Sequence, residues 1–519
     1  VSWTSVRYNW LGTRPGSRSR AQRAVGGRPQ RPAAAVRASS ETAMSARLAK
    51  KVHHAFKFRG MSARADAVRA VASVLQREPE PDEAMDSIID AVQRAMERRE
   101  ASSSVVDLAT VEQVVAELTR DEEDIAQESI RVFQTADVPK FLYNAARKTF
   151  YKVDAPAGLH CPAETNIAMW RERYQLVEQR VLRNAMFSPP VLGSSKREYF
   201  QLTPLESLLG TTGTKYVLGM LVQPEEGRYC IEDQSSRVPI DLSAASTTSG
   251  LFTECSIVLA QGELREGTFH VAMMGFPPPE KRVDSLLAMG TVDPMGLLTT
   301  PHELRKVQAL EEEAEASMFV ILSDVHLDNP RVFDKVQALL EGFADVVPDV
   351  IVFMGNFISA PFGHGADDRR LYAENLTRLA DLIAGYPSLA NGSKFVFVPG
   401  LDDPGGSVLP RAPIPAVFTK ALRAQVRNVE FASNPCRLRF YSQDIVLFRH
   451  DLVSKMRRHA VVPPTDAHGT FEITEHLVRT VVDQGHLCPM APTVQPVYWG
   501  KDHALRLYPL PQVAILADS

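Results

Sequence analysis

The sequence predicts a multidomain protein of mixed α and β class: an N-terminal all-helical domain, a small closed β-barrel of the OB-fold kind, and a C-terminal α/β domain. Two observations carry this. Apolar residues recur at helical spacing up to about residue 120, shift to a period near 2 between about 197 and 277, and from about 319 alternate strand, polar turn and helix three times. A length of 519 residues with 45% hydrophobic and 23% charged side chains suits about three folded domains.

Residues 1–43 begin with Val1 and carry eight arginines against one acid, Glu41. That composition predicts a disordered Arg-rich extension, either of transit-peptide type or lying upstream of a start at Met44. Residues 44–120 form the N-terminal helical domain. Its stripes are Val68, Val71, Ala72 and Leu75; then, after the breakers Pro79 and Pro81, Met85, Ile88, Ile89, Val92 and Met96; then Val111, Val114, Val115 and Leu118. Asp107 precedes the third stripe as its expected N-cap. Residues 121–192 read as a helical connector containing the charged run Trp170-Arg-Glu-Arg-Tyr174, closed by Pro189 and Pro190.

Residues 193–280 hold the barrel, with strands expected at 216–222, 228–232, 238–242, 255–259 and 268–273. Between Lys196 and Phe276 there are six basic and ten acidic residues, so the barrel is expected to be a packing module and not a single-strand clamp. Residues 281–317 form a linker opened by Pro277-Pro-Pro279 and a charged helix from His302 to Met318. Residues 318–519 form the last domain, expected to be C-terminally truncated, with buried strands Phe319–Leu322, Val350–Phe353 and Phe395–Val398.

The formal net charge of −4 supplies no bulk attraction for nucleic acid. Cys161, Cys230, Cys255, Cys436 and Cys488 are scattered without a C-x-x-C pair, which argues against a disulfide framework and against a zinc site in this chain. No apolar run approaches the roughly 18 residues of a membrane helix.

The carboxyl ends of the predicted parallel strands should gather Asp324, His326, Asn356 and Asp402. Their spacing resembles the calcineurin-like metallophosphoesterases, whose D-x-H, G-D-x-x-D, G-N-H-D/E, lone His and G-H-x-H motifs hold two bridged metals. Here Asp324-Val325-His326 keeps the first motif. Asn356 stands where the bridging aspartate would be, Ser359 replaces the second acid, and Leu401 and Asp402 replace the Asn and His of the third. His450 and His486 lie outside any G-H-x-H and read as structural residues. Losing the bridge, the amide ligand and the leaving-group histidine together should abolish two-metal hydrolysis, so these positions are vestigial, with no catalytic, cofactor or metal residue expected. A lone metal on Asp324 and His326, or an active metallophosphoesterase with non-standard ligands, is the alternative.

An OB-like barrel followed by an inactive calcineurin-like phosphoesterase sandwich resembles the B subunits of eukaryotic replicative DNA polymerases, and among them those of polymerase epsilon. The residues that carry the resemblance include Met169-Trp-Arg-Glu-Arg-Tyr174, Phe187-Ser-Pro-Pro-Val-Leu-Gly193, Gly355-Asn-Phe-Ile-Ser-Ala-Pro361, Asn434-Pro-Cys-Arg437 and Gln484-Gly-His-Leu-Cys-Pro489. The resemblance implies a non-catalytic scaffold in the nucleus. Its barrel and sandwich would bind the C-terminal zinc region of the polymerase catalytic subunit, and its N-terminal helices the GINS component of the replicative helicase. DNA would be met through the holoenzyme, with no cofactor and no membrane contact. A free single-strand DNA binder using the barrel is a further reading that salt-dependent binding would reveal.

Overall fold

The structure is a computed structural model that describes residues 4–6, 47–76, 81–98, 105–118, 129–154, 158–189, 199–291, 293–296, 301–314, 316–463 and 472–518. The chain divides into two compact units, Tyr8–Ser129 with Gly296–Glu315, and Val1–Arg7 with Ile130–Met295 and Ala316–Ser519.

In the first unit residues 47–58 are helical, followed by helices Ala65–Leu75, Pro81–Arg98 and Leu108–Leu118. Val52, Phe56, Val71, Leu75, Ile89, Val92 and Val111 close its core, as expected of apolar positions three and four apart. Asp107 caps the last of these helices, accepting the Thr110 N–H at 2.9 Å. Pro81 opens its helix and does not break it, because a first-turn residue has no intrahelical use for an N–H. The unit is not wholly helical: Ser62–Ala63 and Val105–Val106 pair in parallel. The charged helix runs Pro301–Glu313, shorter than expected.

The second unit contains the barrel and the α/β domain. Strands Lys215–Glu225, Arg228–Glu232, Arg237–Asp241, Ile257–Arg265 and Thr268–Gly275 form the barrel, with Ser246–Thr247 beside the last, and pairing of Phe269 with Ile240 closes it. The fourth long strand begins later than expected and runs through Gly262. A Cβ there would lie 2.2 Å from the His270 carbonyl oxygen, at a register shift between Gln261 and Gly262. The glycine therefore permits a bulge and close backbone approach instead of ending the strand.

The expected helical connector is corrected by three strands. Ile130–Phe133, Lys140–Asn144 and Thr149–Val153 precede the helix Ala163–Arg183, and the latter two form an antiparallel hairpin. Ile130–Phe133 pairs with Cys436–Phe440. A segment before the barrel thus completes a sheet after it.

The last domain contains two sheets face to face. Parallel strands Phe319–Ser323, Val350–Met354, Lys394–Val398 and Val429–Phe431 lie side by side in that order. Thr4–Val6 pairs antiparallel with the first; the rest of the expected disordered extension 1–43 lies outside the described residues. The second sheet runs Ile130–Phe133, Cys436–Phe440, Gln443–Arg449 and Val513–Ala517. Val350, Val352 and Val396 meet Val132, Leu438 and Leu447 between the sheets. Helices Pro330–Phe343, Asp368–Ala384 and Ala416–Gln425 cover the outer face of the first through Val336, Leu340, Leu376, Leu379 and Leu422. Val350–Met354 is buried along its whole length because both faces are covered.

Candidate functional site

The parallel strands bring Asp324, Asn356 and Asp402 together where they end. The Asn356 backbone N–H donates to Asp324 Oδ1 at 3.1 Å, its Nδ2 donates to Asp402 Oδ2 at 3.0 Å, and its Oδ1 accepts the Asp402 N–H at 2.8 Å. Gly400 permits this approach: a Cβ there would lie 2.3 Å from Asn356 Oδ1. Asp324 has φ +53°, a left-handed conformation that a residue with a Cβ adopts at a cost of about 1–2 kcal/mol. Its N–H donates to the Met354 carbonyl at 3.1 Å, which helps hold it there.

The residue pattern does not point to the dominant side chain of this site. Arg449 ends the strand Gln443–Arg449 and is fully buried. Its Nη2 donates to Asp324 Oδ1 at 2.8 Å, its Nε to the Gly355 carbonyl at 2.8 Å and its Nη1 to Asp451 Oδ1 at 2.5 Å. Burial alone would lower the guanidinium pKa, but the bonds to Asp324 and Asp451 raise it above its ordinary value. The one signal in the sequence is an apolar run, Ile445-Val-Leu-Phe448, ending in a charged residue, and the neighbouring His450 is the more conspicuous candidate.

Asp403, equally inconspicuous in the sequence, is buried below the site. It accepts the Gly400 N–H at 2.7 Å, the Phe357 N–H at 2.9 Å and the Tyr372 hydroxyl at 3.2 Å, and burial raises its pKa despite them. The His326 N–H donates to the Asp324 carbonyl at 3.0 Å. The His326 side chain makes no hydrogen bond among the described residues, Leu401 is half-buried, and Ser359 binds Asp328 through both its N–H and its hydroxyl. Burial pushes His450 down to about 3, and its Nε2 accepts from Lys455 at 3.2 Å.

A two-metal centre needs a carboxylate bridging ions about 3.5–4 Å apart. At the bridging position stands an amide, with both polar atoms bound to Asp402, and Asp324 Oδ1 already accepts from Arg449 and the Asn356 N–H. Among the described residues no three His, Cys, Asp or Glu side chains are grouped to hold a metal ion. The donor set does not fit the two metals that the resemblance implies.

His486 belongs to a separate buried cluster joining barrel and sandwich. Its Nε2 bonds Asp502 at 3.2 Å, while its Nδ1 accepts the Cys488 N–H at 2.9 Å. Arg173 Nε donates to Asp502 at 3.0 Å, and Arg506 reaches Glu172 at 2.6 Å. Tyr174 OH donates to the Leu218 carbonyl in the barrel at 3.0 Å. Gln484 bonds both backbone groups of Ile257, donating at 2.7 Å and accepting at 2.9 Å. The charged run Trp170–Tyr174 is therefore an internal joint.

Three family models match the chain: DNA polymerases epsilon N terminal over residues 44–118, DNA polymerase epsilon subunit 2-like OB-fold domain over 163–278, and the DNA polymerase alpha/epsilon B subunit over 319–519. The OB-fold match includes the helix Ala163–Arg183, which the sequence pattern assigns to the connector. The chain is 38% identical over 487 residues to DNA polymerase epsilon subunit 2 of Bos taurus, covering 91% of each. It is 38% identical over 478 residues to the DNA polymerase epsilon B subunit of Arabidopsis thaliana, covering 90% of this chain and 91% of that one. With the Saccharomyces cerevisiae B subunit it shares 28% identity over 474 residues, covering 75% and 69%.

Proposed function

The chain belongs to the family of DNA polymerase epsilon B subunits, accessory subunits of that polymerase in DNA replication, and on this premise we propose that it is a non-catalytic scaffold of the nuclear polymerase. Its barrel and sandwich bind the C-terminal zinc region of the catalytic subunit. Its N-terminal helical unit contacts the GINS component of the replicative helicase, and DNA is met through the assembled holoenzyme. The sandwich is an inactive calcineurin-like phosphoesterase domain.

The observation that supports inactivity is the buried Arg449 guanidinium on Asp324, next to an amide at the bridging position. A cation with no coordination site on which to ionise a water has taken the carboxylate that hydrolysis would use. The internal joint at Arg173, Asp502 and Gln484 supports the scaffold reading, because it fixes barrel and sandwich as one surface for a partner. Hydrolysis of a generic phosphodiester with millimolar Mn²⁺ tests the inactive site. The expected rate equals the buffer blank; turnover lost on Asp324→Ala would establish the phosphoesterase alternative.

A further inference from the structure

Arg449, itself the end of a strand in the second sheet, meets the ends of three others, two from the first sheet and one from its own. Among the described residues its guanidinium hydrogen-bonds to four oxygens: Asp324 Oδ1 at 2.8 Å, the Gly355 carbonyl at 2.8 Å, Asp451 Oδ1 at 2.5 Å and the Ala517 carbonyl at 3.4 Å. Carboxylate and carbonyl oxygens converging from separate segments are the donor type that hard divalent cations take. A guanidinium keeps its proton and spreads five N–H donors in a plane, so one side chain can satisfy several such oxygens at once. The other cations nearby are engaged elsewhere: the Arg411 guanidinium donates to the Gly400 carbonyl and, at 2.8 Å, to the Asp403 carbonyl. Asn356 and Asp402 are closed on one another, and the Lys455 amine is bound to Gln495 at 2.6 Å and His450 at 3.2 Å.

We infer that the Arg449 guanidinium is the resident cation of this centre, a covalently attached replacement for a divalent ion that pins the strand ends of both sheets. The domain therefore folds independently of divalent metal, and its oxygen cage accepts an ion only once the guanidinium is removed. This deepens the non-catalytic reading and rests on it. The site is masked by the chain itself, so loss of hydrolysis and retention of a rigid sandwich come from the same residue.

The test uses the purified full chain, treated with EDTA and dialysed. Bound metal is measured by mass spectrometry, and the unfolding temperature is followed with and without millimolar Mn²⁺. The wild-type chain is expected to hold well under one ion and to unfold at the same temperature in all conditions. Arg449→Met keeps much of the side-chain length but leaves two carboxylates without their cation. It should unfold about 5–10 °C lower, and Mn²⁺ should recover several degrees. Stoichiometric metal in the wild type, or destabilisation by chelation, overturns the inference, and so does a folded Arg449→Met that Mn²⁺ stabilises no more than the wild type. If Arg449→Met does not fold, the wild-type arm decides alone. Metal bound without hydrolysis would defeat this inference and leave the scaffold reading standing; hydrolysis would defeat that reading.

Discussion

Arg449 and Arg173 are both buried guanidiniums, and the difference between them lies in what they join. Arg449 ties strand ends within the sandwich, whereas Arg173 joins the helix before the barrel to Asp502. Burial would raise the Asp502 carboxyl, but Arg173, His486 and Arg506 outweigh it and hold it well below the ordinary carboxylate range. Its stabilising contribution is present above the unfolded value near 3.9 and is lost as pH falls through the lower folded value. The histidines act at milder pH. Burial lowers His486 and His503 to about 4 and His450 to about 3. The unfolded chain takes up their protons first, below pH about 6.5, so stability falls as pH drops from there toward 4. Each contributes up to about 1.4 kcal/mol per pH unit. Asp483, raised to about 6 by burial, acts in the opposite direction. Urea unfolding between pH 7.5 and 4.5 should show a midpoint that declines below about pH 6.5; a flat or rising midpoint would mean that these histidines are charged in the folded protein.

At the scale of elements, the strand Ile130–Phe133 has the largest consequence. Val132 is buried in the core between the sheets and lies opposite Leu438. Val132→Asp puts an unpaired carboxylate there and should destabilise by about 3 kcal/mol or more, measured by denaturant unfolding. A change under about 0.5 kcal/mol, typical of an exposed site, would show that this strand does not belong to the sheet. The barrel strands and the buried parallel strands are legible in the sequence because period-2 patterning and apolar runs are local signals. Ile130–Phe133 is not, because four residues show little periodicity and their partner lies about 300 positions away. The hairpin Lys140–Asn144 and Thr149–Val153 does carry aromatic and β-branched runs, but they are short beside the long charged helix that follows. At the site, Asp324, Asn356 and Asp402 are legible from strand-end spacing. Arg449 is not, because its role depends on the second sheet delivering a strand end opposite the first.

At the scale of the whole molecule, the chain contains two units with separate cores, and the larger one locks an acidic barrel to a sandwich through buried charge and side-chain amides. The barrel's excess of acidic residues gives little electrostatic attraction for free nucleic acid. The proposed partner for the surface of this larger unit is the C-terminal region of the polymerase epsilon catalytic subunit. The most direct measurement is light scattering on a gel-filtration column after the full chain is mixed with that region. One peak with the mass of a one-to-one complex is expected; two peaks at the masses of the separate proteins would rule this interface out.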